Sequence, residues 1–272
     1  MGPDIFSVQD KIVVVTGGLG QLGRQFSLAL AARGARVAVF DKQVSRAKVE
    51  ERYGRSSAGD NFLFLPVEVT ERNSLEEGLA RVKEKWGVPH ALINNAALDS
   101  PPDAPAEENG PFETYPRDSW EKVLEVNATG VFLCCQVVGG EMAAAGRGSI
   151  VNISSVYGLV SPDQRLYEYR RTGGAAFFKP VAYAVSKSAL FNLTRYLATY
   201  WAEKNVRVNT LTFGGVFNNQ DEAFLKEYCR RVPLGRMARE EEYNGAVIFL
   251  VSEASSYMTG ANLIIDGGWT AW

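Results

Sequence analysis

A tyrosine and a lysine stand four residues apart in the segment Tyr183-Ala-Val-Ser-Lys187. In a helix this spacing puts both side chains on one face. An ammonium group near a phenol favours the phenolate, so the pair predicts a tyrosine that exchanges a proton near neutral pH. A half-buried aromatic ring beside a solvated amine is the alternative interpretation. A glycine-rich turn near the N-terminus and a serine after an upstream strand favour the interpretation that Tyr183 exchanges a proton.

The glycine-rich turn follows the apolar strand Ile12-Val-Val-Val-Thr16 and precedes a helical pattern. Glycines allow a tight turn and let the backbone approach a pyrophosphate, whose charge is stabilised at the helix N-terminus. A glycine trio alone is weak evidence, but the strand-turn-helix context favours dinucleotide binding. The residues predicted to contact the dinucleotide here are Gly17, Gly20, Gln21, Leu22 and Gly23.

An aspartate follows the next predicted strand, in the segment Arg36-Val-Ala-Val-Phe-Asp41. A carboxylate at this place accepts hydrogen bonds from the adenosine ribose hydroxyls and repels a 2′-phosphate. Asp41 therefore favours NAD over NADP as the cofactor. A loop-starting aspartate without a function is the alternative, and Lys42 beside it leaves NADP open.

Short β-branched runs alternate with longer amphipathic segments along the whole chain. The predicted strands are Lys11–Thr16, Arg36–Phe40, Phe62–Val69, Ala91–Asn94, Ser149–Ser154, Val206–Thr212 and Asn262–Asp266. The predicted helices lie near Leu22–Arg33, Ser74–Trp86, Ser119–Ala145, Val181–Glu203 and Glu240–Ser252. Several strands are continuous apolar runs, as expected when helices cover both faces of a parallel sheet. The alternation predicts a single doubly wound α/β domain over residues 1–272.

Two longer segments, Ala97–Pro116 and Val156–Pro180, follow predicted strands. Loops at the carboxyl ends of parallel strands are where open α/β sheets bind ligands, and long loops there are often functional. The second segment is rich in arginine and tyrosine. We expect it to be a substrate loop; a solvated or subunit-contacting loop is the alternative.

Composition excludes several other classes of protein. The net charge is −2 and basic residues form no run, so nucleic-acid binding is not expected. We expect no membrane span, since no apolar stretch approaches the required length, and no secretory signal, since the N-terminus carries acids. Cys134 and Cys135 adjoin in an apolar segment, which suits a reducing cytoplasm. With His90 as the sole histidine, a metal site is not expected.

With these features together, the chain resembles the short-chain dehydrogenase/reductase family over essentially its whole length. The matching motifs are Thr16-Gly17…Gly23, Asn94-Asn95-Ala96-Ala97, Asn127, Asn152-Ile153-Ser154-Ser155, Tyr183…Lys187 and Tyr257-Met258-Thr259-Gly260…Asp266-Gly267-Gly268. The resemblance implies a single Rossmann-type domain with a seven-stranded parallel sheet, a nicotinamide cofactor and a homodimer or homotetramer.

The resemblance also implies a role for each catalytic residue. Ser155 should hold the substrate oxygen, and Tyr183 should be the general acid and base. Lys187 should lower the pKa of the tyrosine and bind the nicotinamide ribose. Asn127 should anchor a water chain that relays the proton to solvent. Further residues expected along the cofactor are Glu68, Val69, Asn95, Ala96, Ala97, Tyr183, Lys187, Gly214 and Val216.

Several positions depart from the family pattern. Gln21 stands where the shorter members usually have glycine, Glu68 replaces an aspartate and Ala97 replaces a glycine. Phe213 stands where a proline normally precedes Gly214, so the loop over the nicotinamide is expected to take a different path.

The segment between Ser155 and Tyr183 is longer than usual for the family. It resembles a subgroup of bacterial oxidoreductases of flagellin modification and nonulosonic acid biosynthesis, which suggests a phosphorylated or nucleotide-linked sugar. Arg165, Arg170 and Arg171 are candidates for binding such a phosphate through forked hydrogen bonds. A solvated charge cluster or a subunit contact is the alternative.

The sequence thus predicts an NAD(H)-dependent enzyme that interconverts a secondary alcohol and a ketone on a sugar derivative. A polyol, hydroxy acid, steroid or 3-oxoacyl substrate is the second hypothesis, and a non-catalytic dinucleotide-binding scaffold is the third. Segments 123–142 and 181–201 are apolar around most of their circumference, which favours a homodimer or homotetramer.

Overall fold

Runs of β-branched and aromatic residues form one parallel sheet in the computed structural model, which describes residue 2 and residues 4–99, 106–171 and 176–272. The strands are β1 (Ile12–Thr16), β2 (Arg36–Asp41), β3 (Phe62–Pro66), β4 (Ala91–Asn94), β5 (Gly148–Ser155), β6 (Val206–Phe213) and β7 (Asn262–Ile265). Their order is β3-β2-β1-β4-β5-β6-β7, and every neighbouring pair is parallel. The predicted seven-stranded doubly wound sheet is confirmed.

The strand order reverses between β1 and β4, which pair through Val15 and Ile93. At such a point the loops leave the carboxyl edge of the sheet in opposite directions and open a crevice. The glycine-rich turn follows β1 at this crevice, and Asn95 and Ala96 follow β4. Topology thus brings together two motifs that are far apart in the sequence.

Helices cover both faces of the sheet. They are α1 (Gln21–Ala31), α2 (Arg46–Tyr53), α3 (Arg72–Trp86), α4 (Arg117–Ala144), α5 (Val156–Leu159), α6 (Val181–Tyr200), α7 (Glu222–Arg231) and α8 (Asn244–Val251). Short 3₁₀-helices lie at Gly54–Ala58, Ala106–Asn109, Phe112–Thr114, Gln164–Arg170, Ala202–Lys204, Glu240–Tyr243 and Glu253–Ser255. Parts of the two long predicted loops, residues 100–105 and 172–175 with Thr172-Gly173-Gly174, lie outside the described residues.

The structure adds α2, α5 and α7 to the predicted helices. All three are short, so a periodic apolar pattern has little length in which to show itself. Each begins after a side chain that caps it: Ser45, Ser155 and Asp221 accept hydrogen bonds from backbone N–H groups two or three residues further on. These capping residues were the signal available in the sequence.

Element boundaries also differ in places. β3 ends at Pro66 rather than at Val69, because its neighbour β2 ends opposite it at Asp41. The predicted helix near Glu240–Ser252 is a 3₁₀ turn followed by α8. Two π-helical turns, Glu125–Thr129 and Cys135–Gly139, interrupt α4.

Within the described residues, α4 is the one helix long and apolar enough, by length and composition, to cross a membrane. The expectation that no apolar stretch approaches this length is therefore wrong. Cys134, Val138 and Met142 of α4 are buried and belong to the core, and 44% of the most apolar window of α4 is buried inside the fold. Packing within the fold accounts for the buried part of this apolar helix.

Alternate residues of the strands supply two separate cores. Val14 and Ile150 belong to the cluster that α3, α4 and α6 cover, whereas Val13 and Val151 belong to the cluster that α1 and α8 cover. This division follows from the two-residue period of a strand, which sends successive side chains to opposite faces.

A buried chain of polar side chains fixes α6 to the sheet. Asn94 Nδ2 donates to Asn152 Oδ1 at 2.8 Å, and Asn152 Nδ2 donates to Thr194 Oγ1 at 2.9 Å. Thr210 Oγ1 donates to Thr194 Oγ1 at 2.8 Å. The four side chains are buried and join β4, β5, β6 and α6. Since α6 carries Tyr183 and Lys187, this chain also positions the predicted catalytic pair.

Replacing Thr194 by valine should lower the free energy of unfolding by about 1–3 kcal/mol, because a methyl group in place of the hydroxyl leaves its buried partners unsatisfied. Thr199→Val is the matched control: Thr199 is exposed on the same helix and bonds only to backbone carbonyls of its own turn. Thr199→Val should lower the free energy of unfolding by no more than about 0.5 kcal/mol. Urea denaturation measures both, and an equal loss in the two variants would contradict the role given to the buried chain.

Candidate active site

Ser155 and Tyr183 meet at the carboxyl edge of the sheet. Ser155 ends β5 and caps α5, and Tyr183 lies in the first turn of α6. The Ser155 hydroxyl is close enough to Tyr183 to lower the pKa of the phenol, and Ser155 Oγ accepts a hydrogen bond from Tyr157 N at 3.2 Å. The structure therefore brings together the two hydroxyl groups that the sequence proposed for holding a substrate oxygen and exchanging its proton.

Lys187 lies one turn after Tyr183 and is buried. Its Nζ donates to Ile153 O at 2.9 Å, and its own carbonyl accepts from Ser154 Oγ at 2.9 Å. The ammonium group is 5.9 Å from the centroid of the Tyr183 ring. Burial lowers the pKa of Lys187 from 10.5 to about 8, and the Asp99 carboxylate opposes this shift.

Tyr183 itself is shifted in the opposite direction from the expected one. Burial raises its pKa well above the usual value, the Asp99 carboxylate adds to the rise, and the hydrogen bond with Ser155 opposes it. Burial thus outweighs other influences on this pKa in the present arrangement, and the lowering that the resemblance implies for Lys187 stays a prediction. The physical reason is desolvation, which penalises the phenolate in the same way that it penalises the ammonium group.

Asn127 occupies the first π-helical turn of α4 and is fully buried. Its Oδ1 accepts from Leu98 N at 2.7 Å, and its Nδ2 donates to Leu98 O at 2.9 Å and to Ser186 Oγ at 3.0 Å. The side chain thus joins the loop after β4 to α6. π-Helical turns are frequent at functional sites. The water relay that the resemblance implies for Asn127 stays a prediction.

The glycine-rich turn forms a cradle in which side chains would not fit. Gly17 has a φ of +62°, and a Cβ there would lie 2.8 Å from Ala96 Cα. A Cβ on Gly23 would overlap Gly17 O and lie 2.8 Å from Asn95 Nδ2. Thr16 Oγ1 accepts from the backbone N–H groups of Asn95 and Ala96, both at 3.0 Å. Bare backbone therefore lines the crevice between β1 and β4.

The N-terminus of α1 continues this cradle. Gly20 is its N-cap, and Gln21 and Leu22 begin the helix, where backbone N–H groups have no partner within the helix. Gln21 Nε2 donates to Phe217 O at 3.0 Å. The glutamine that replaces the family glycine therefore ties the glycine-rich turn to the loop after β6.

Asp41 lies at the carboxyl end of β2, beside the glycine-rich turn. Its Oδ2 accepts from Leu19 N at 3.1 Å, and its Oδ1 accepts from Gln43 N at 3.2 Å. Glu68 caps its own turn, since its Oε1 accepts from Thr70 N at 3.3 Å. Val69 is buried in the core. Glu68 and Val69 follow β3 at the same edge of the sheet as Asp41, where the adenosine end of a dinucleotide is expected.

The loop after β6 begins in aromatic packing rather than at a proline. The ring of Phe213 is buried, with its centroid 4.1 Å from that of Tyr243 and 5.9 Å from that of Phe26. Tyr243 also donates its hydroxyl to Gly214 O at 3.2 Å. The aromatic pair therefore holds the backbone at the position where the family normally has a rigid proline.

The predicted cofactor residues of this loop are also tightly held. A Cβ on Gly214 would lie 2.9 Å from Asp266 Cα, so the Asp-Gly-Gly tail packs directly on the glycine. Val216 forms a parallel bridge with Ala238. The sequence identified the motifs on both sides of this contact but contained no sign that they touch.

The arginines of the long insertion have partners within the fold. Arg165 binds Asp163 through Nε and Nη2, both at 2.9 Å. The guanidinium group of Arg170 lies 4.2 Å from the centroid of the Phe177 ring. Arg171 donates to Phe177 O and Gln164 O, both at 3.0 Å. These contacts support the insertion itself, so they do not favour the phosphate-binding role suggested for the three arginines.

Residues that the sequence did not single out also lie close to Tyr183. Lys179 Nζ is 4.7 Å from the centroid of its ring and forms an ion pair with Asp99 Oδ1 at 2.5 Å. Tyr157 is buried, and its hydroxyl is 3.5 Å from that of Tyr167. No sequence motif marks these residues, because they meet only when the insertion folds over the loop after β4.

The family model described as "Enoyl-(Acyl carrier protein) reductase" matches residues 20–270, nearly the whole chain. Relatives that are more than 30% identical align over almost the same length. The chain belongs to the short-chain dehydrogenase/reductase family. It is an oxidoreductase, and the prediction of this enzyme class is confirmed. The finer resemblance to the flagellin-modification and nonulosonic acid subgroup stays a prediction.

Named members of the family act on different alcohols. The NAD-dependent glycerol dehydrogenase of Listeria innocua is 31% identical, with 97% of this chain and 96% of the relative covered. The trans-4-hydroxycyclohexanecarboxylate dehydrogenase of Sinomonas cyclohexanicum is 33% identical, covering 97% and 94%. A gluconate 5-dehydrogenase structure from Burkholderia cenocepacia, in complex with NADP and tartrate, has a TM-score of 0.84 at 26% identity, covering 99% and 98%.

The buried lysine of this short-chain dehydrogenase/reductase predicts a pH dependence of stability. The pKa of Lys187 is about 8 in the folded protein and 10.5 as its ordinary value. Between these pH values the unfolded chain binds more protons than the folded chain, so the lysine's contribution to the free energy of unfolding rises with pH. Below this pH range Lys187 is charged in both the folded and the unfolded protein. The cost of burying its charge then lowers the free energy of unfolding by its full amount.

Lys187→Met lacks this titration. Its free energy of unfolding minus that of the native protein should fall by about 1–3 kcal/mol between about pH 7.5 and pH 10. Urea denaturation at several pH values measures the difference. A difference that stays constant with pH would show that Lys187 titrates at its ordinary pKa in the folded protein.

Proposed function

We propose that this enzyme interconverts a secondary alcohol and a ketone by hydride transfer with NAD(H). The observation that carries the proposal is the proximity of Ser155, at the end of β5, to Tyr183 in the first turn of α6, with Lys187 one turn away, beside a crevice lined by bare glycine backbone. The crevice suits a dinucleotide, because Gly17 and Gly23 let the turn pack tightly against Ala96 and Asn95 and leave backbone at the N-terminus of α1.

In this mechanism Ser155 holds the substrate oxygen by a hydrogen bond, and Tyr183 exchanges a proton with it. In the reducing direction the Tyr183 phenol donates the proton to the carbonyl oxygen; in the oxidising direction the phenolate accepts it from the alcohol. The hydride would be supplied or accepted by a nicotinamide held in the crevice, and the positive charge of its oxidised form would favour the phenolate of Tyr183. Lys187 would hold the nicotinamide ribose, and Asn127 would anchor the relay of the proton to solvent.

NAD is the proposed cofactor because of Asp41. Its carboxylate has capacity for the ribose hydroxyls beyond the hydrogen bonds from Leu19 N and Gln43 N, since a carboxylate offers about four acceptor sites. Its negative charge would repel the phosphate of NADP. Arg52 is a nearby cation. Its Nε donates a hydrogen bond to Leu19 O in the glycine-rich turn at 2.9 Å, so this donor is already used within the protein.

The proposed substrate is a small hydroxylated molecule such as a polyol or a hydroxy acid. The names of the relatives support this class, since they include glycerol, gluconate and a hydroxycyclohexanecarboxylate. A sugar derivative falls within it. The internal contacts of Arg165, Arg170 and Arg171 give no support to a phosphate or nucleotide on that sugar.

We further propose a single catalytic domain that works as a homodimer or homotetramer in the cytoplasm, with residues 156–180 as the substrate loop. Phe132 of α4 and Val185, Tyr196 and Tyr200 of α6 are large side chains exposed on neighbouring helices, which supports a subunit contact there. Three free cysteines support a reducing compartment. The mass in solution, measured by light scattering, tests the assembly.

Tyr183→Phe should lower turnover by a factor on the order of 10²–10⁴, the usual contribution of a general acid and base, and leave NADH affinity close to native. Turnover is followed by NADH absorbance over a panel of polyols, sugars, hydroxy acids, sugar phosphates and nucleotide sugars. Tyr196→Phe is the matched control, because it removes an exposed hydroxyl from the same helix. Native-like activity of Tyr183→Phe would contradict the mechanism, and NADH binding without turnover by the native protein would favour the scaffold hypothesis.

Asp41→Asn should raise the preference for NADP relative to NAD by about tenfold or more, since removing about 1.4 kcal/mol of repulsion has that effect. The ratio of kcat/KM for the two cofactors measures the change. Asp60→Asn, at an exposed position before β3, is the control for charge alone. An unchanged ratio in Asp41→Asn would mean that another residue recognises the ribose.

A further inference from the structure

A second lysine lies at the reacting end of the site, on the insertion that precedes α6. Lys179 Nζ is 4.7 Å from the centroid of the Tyr183 ring and 2.5 Å from Asp99 Oδ1. The side chain of Lys179 is 9% exposed and that of Asp99 is 63% exposed. A buried ammonium group joined to a more accessible carboxylate therefore stands beside the tyrosine proposed to exchange the proton.

The backbone of Lys179 is fixed by one side chain of the insertion. Gln164 Oε1 accepts from Lys179 N at 2.8 Å, and Gln164 Nε2 donates to Lys179 O at 3.2 Å. Pro180 follows directly and is the N-cap of α6, which carries Tyr183 in its first turn. Lys179 is thus held on both sides of its Cα, and a short connection joins it to the catalytic tyrosine.

The space beside Lys179 is large enough for a small substrate. Lys179 and Tyr157 both line a cavity of about 600 Å³ that also reaches Gln164 and Tyr115. An ammonium group has three N–H donors, and among the described residues Asp99 is the acceptor that Nζ reaches. The lining of the cavity includes Val181 and Ala184 of α6 but not Tyr183 or Ser155. Lys179 contacts both the cavity and the Tyr183 ring, and its remaining donors can bind an oxygen atom there.

The charges around this position favour a neutral partner. Lys179 offers donors beside the negative charge of Asp99. A neutral hydroxyl group accepts from such a donor without repulsion, whereas a carboxylate would also meet the charge of Asp99. Beside the larger effect of burial, the Asp99 carboxylate pushes the pKa values of Tyr183 and Lys187 upwards, so it acts electrostatically on the reacting centre.

We propose that Lys179, held by Asp99 and Gln164, is a specificity-determining residue that binds a hydroxyl group on the carbon next to the reacting carbinol. This inference rests on the proposed alcohol dehydrogenase function and narrows its substrate class to vicinal diols and polyols. A purely structural ion pair, which only ties the loop after β4 to the insertion, is the competing interpretation.

The test compares alcohols that differ in one neighbouring hydroxyl: butane-2,3-diol with butan-2-ol, and cyclohexane-1,2-diol with cyclohexanol. The native protein should show a kcat/KM at least about tenfold higher on the diols. Lys179→Met should lose about 10- to 100-fold on the diols, the factor that a hydrogen bond to a charged group supplies, and change little on the simple alcohols. Lys204→Met, exposed at the opposite edge of the sheet, is the matched control.

A structural role predicts equal losses on both kinds of alcohol, and that result would overturn the proposal. A native protein without a diol preference, or without turnover of either diol, would also overturn it. If Lys179→Met does not fold, Lys179→Gln serves instead: it keeps a donor without the charge and should reduce the preference, whereas an unchanged preference counts against the proposal. Failure of the proposed function is a separate result, namely no Tyr183-dependent turnover on any alcohol of the wider panel.

Discussion

The position of α6 on β5 is the constraint on which the rest of the site depends. The helix supplies Tyr183 and Lys187, the strand supplies Ser155, and their separation is set by hydrogen bonds that cross between the two elements. Ser154 Oγ donates to Lys187 O, and Lys187 Nζ donates to Ile153 O. Further along the helix, the buried chain through Thr194 fixes the same register. A shift of α6 by one residue would break all of these contacts, so the catalytic geometry is built into the packing of the core.

Burial dominates the electrostatics of this site. Desolvation raises the pKa of Tyr183 and lowers that of Lys187, so both groups are biased towards their neutral forms. The two shifts have one cause and opposite signs, because one group is neutral when protonated and the other when deprotonated. Lys187 lies near the Tyr183 ring but does not offset the cost of burying a phenolate there. A positive charge brought next to the phenol, as in an oxidised nicotinamide, would therefore decide when the phenolate forms.

The sequence predicted the fold well because both faces of the sheet are covered, and buried parallel strands are continuous apolar runs. It also predicted that Tyr183 and Lys187 lie on one helix, because their spacing is local; the role of Ser155 came from the family resemblance and stays a prediction. It did not predict Lys179 or Asp99, since their meeting depends on how the insertion folds over a distant loop. The arginines of the insertion show the same limit: their charge was visible in the sequence, but their partners Asp163 and Phe177 were not.

The insertion also connects the substrate end of the site to the cofactor end. Leu166 of the insertion packs in a small separate core with Tyr228 of α7 and Met237. The hydroxyl of Tyr228 accepts a hydrogen bond from Gly215 N at 2.6 Å, within the loop that follows β6. A change in the insertion on substrate binding would therefore reach the backbone beside Gly214 through a few packed residues. Since Gln21 ties the same loop to the glycine-rich turn, direct contacts join the insertion, the loop after β6 and the glycine-rich turn. Under the proposed function, these contacts would give substrate and cofactor binding a route by which to influence each other.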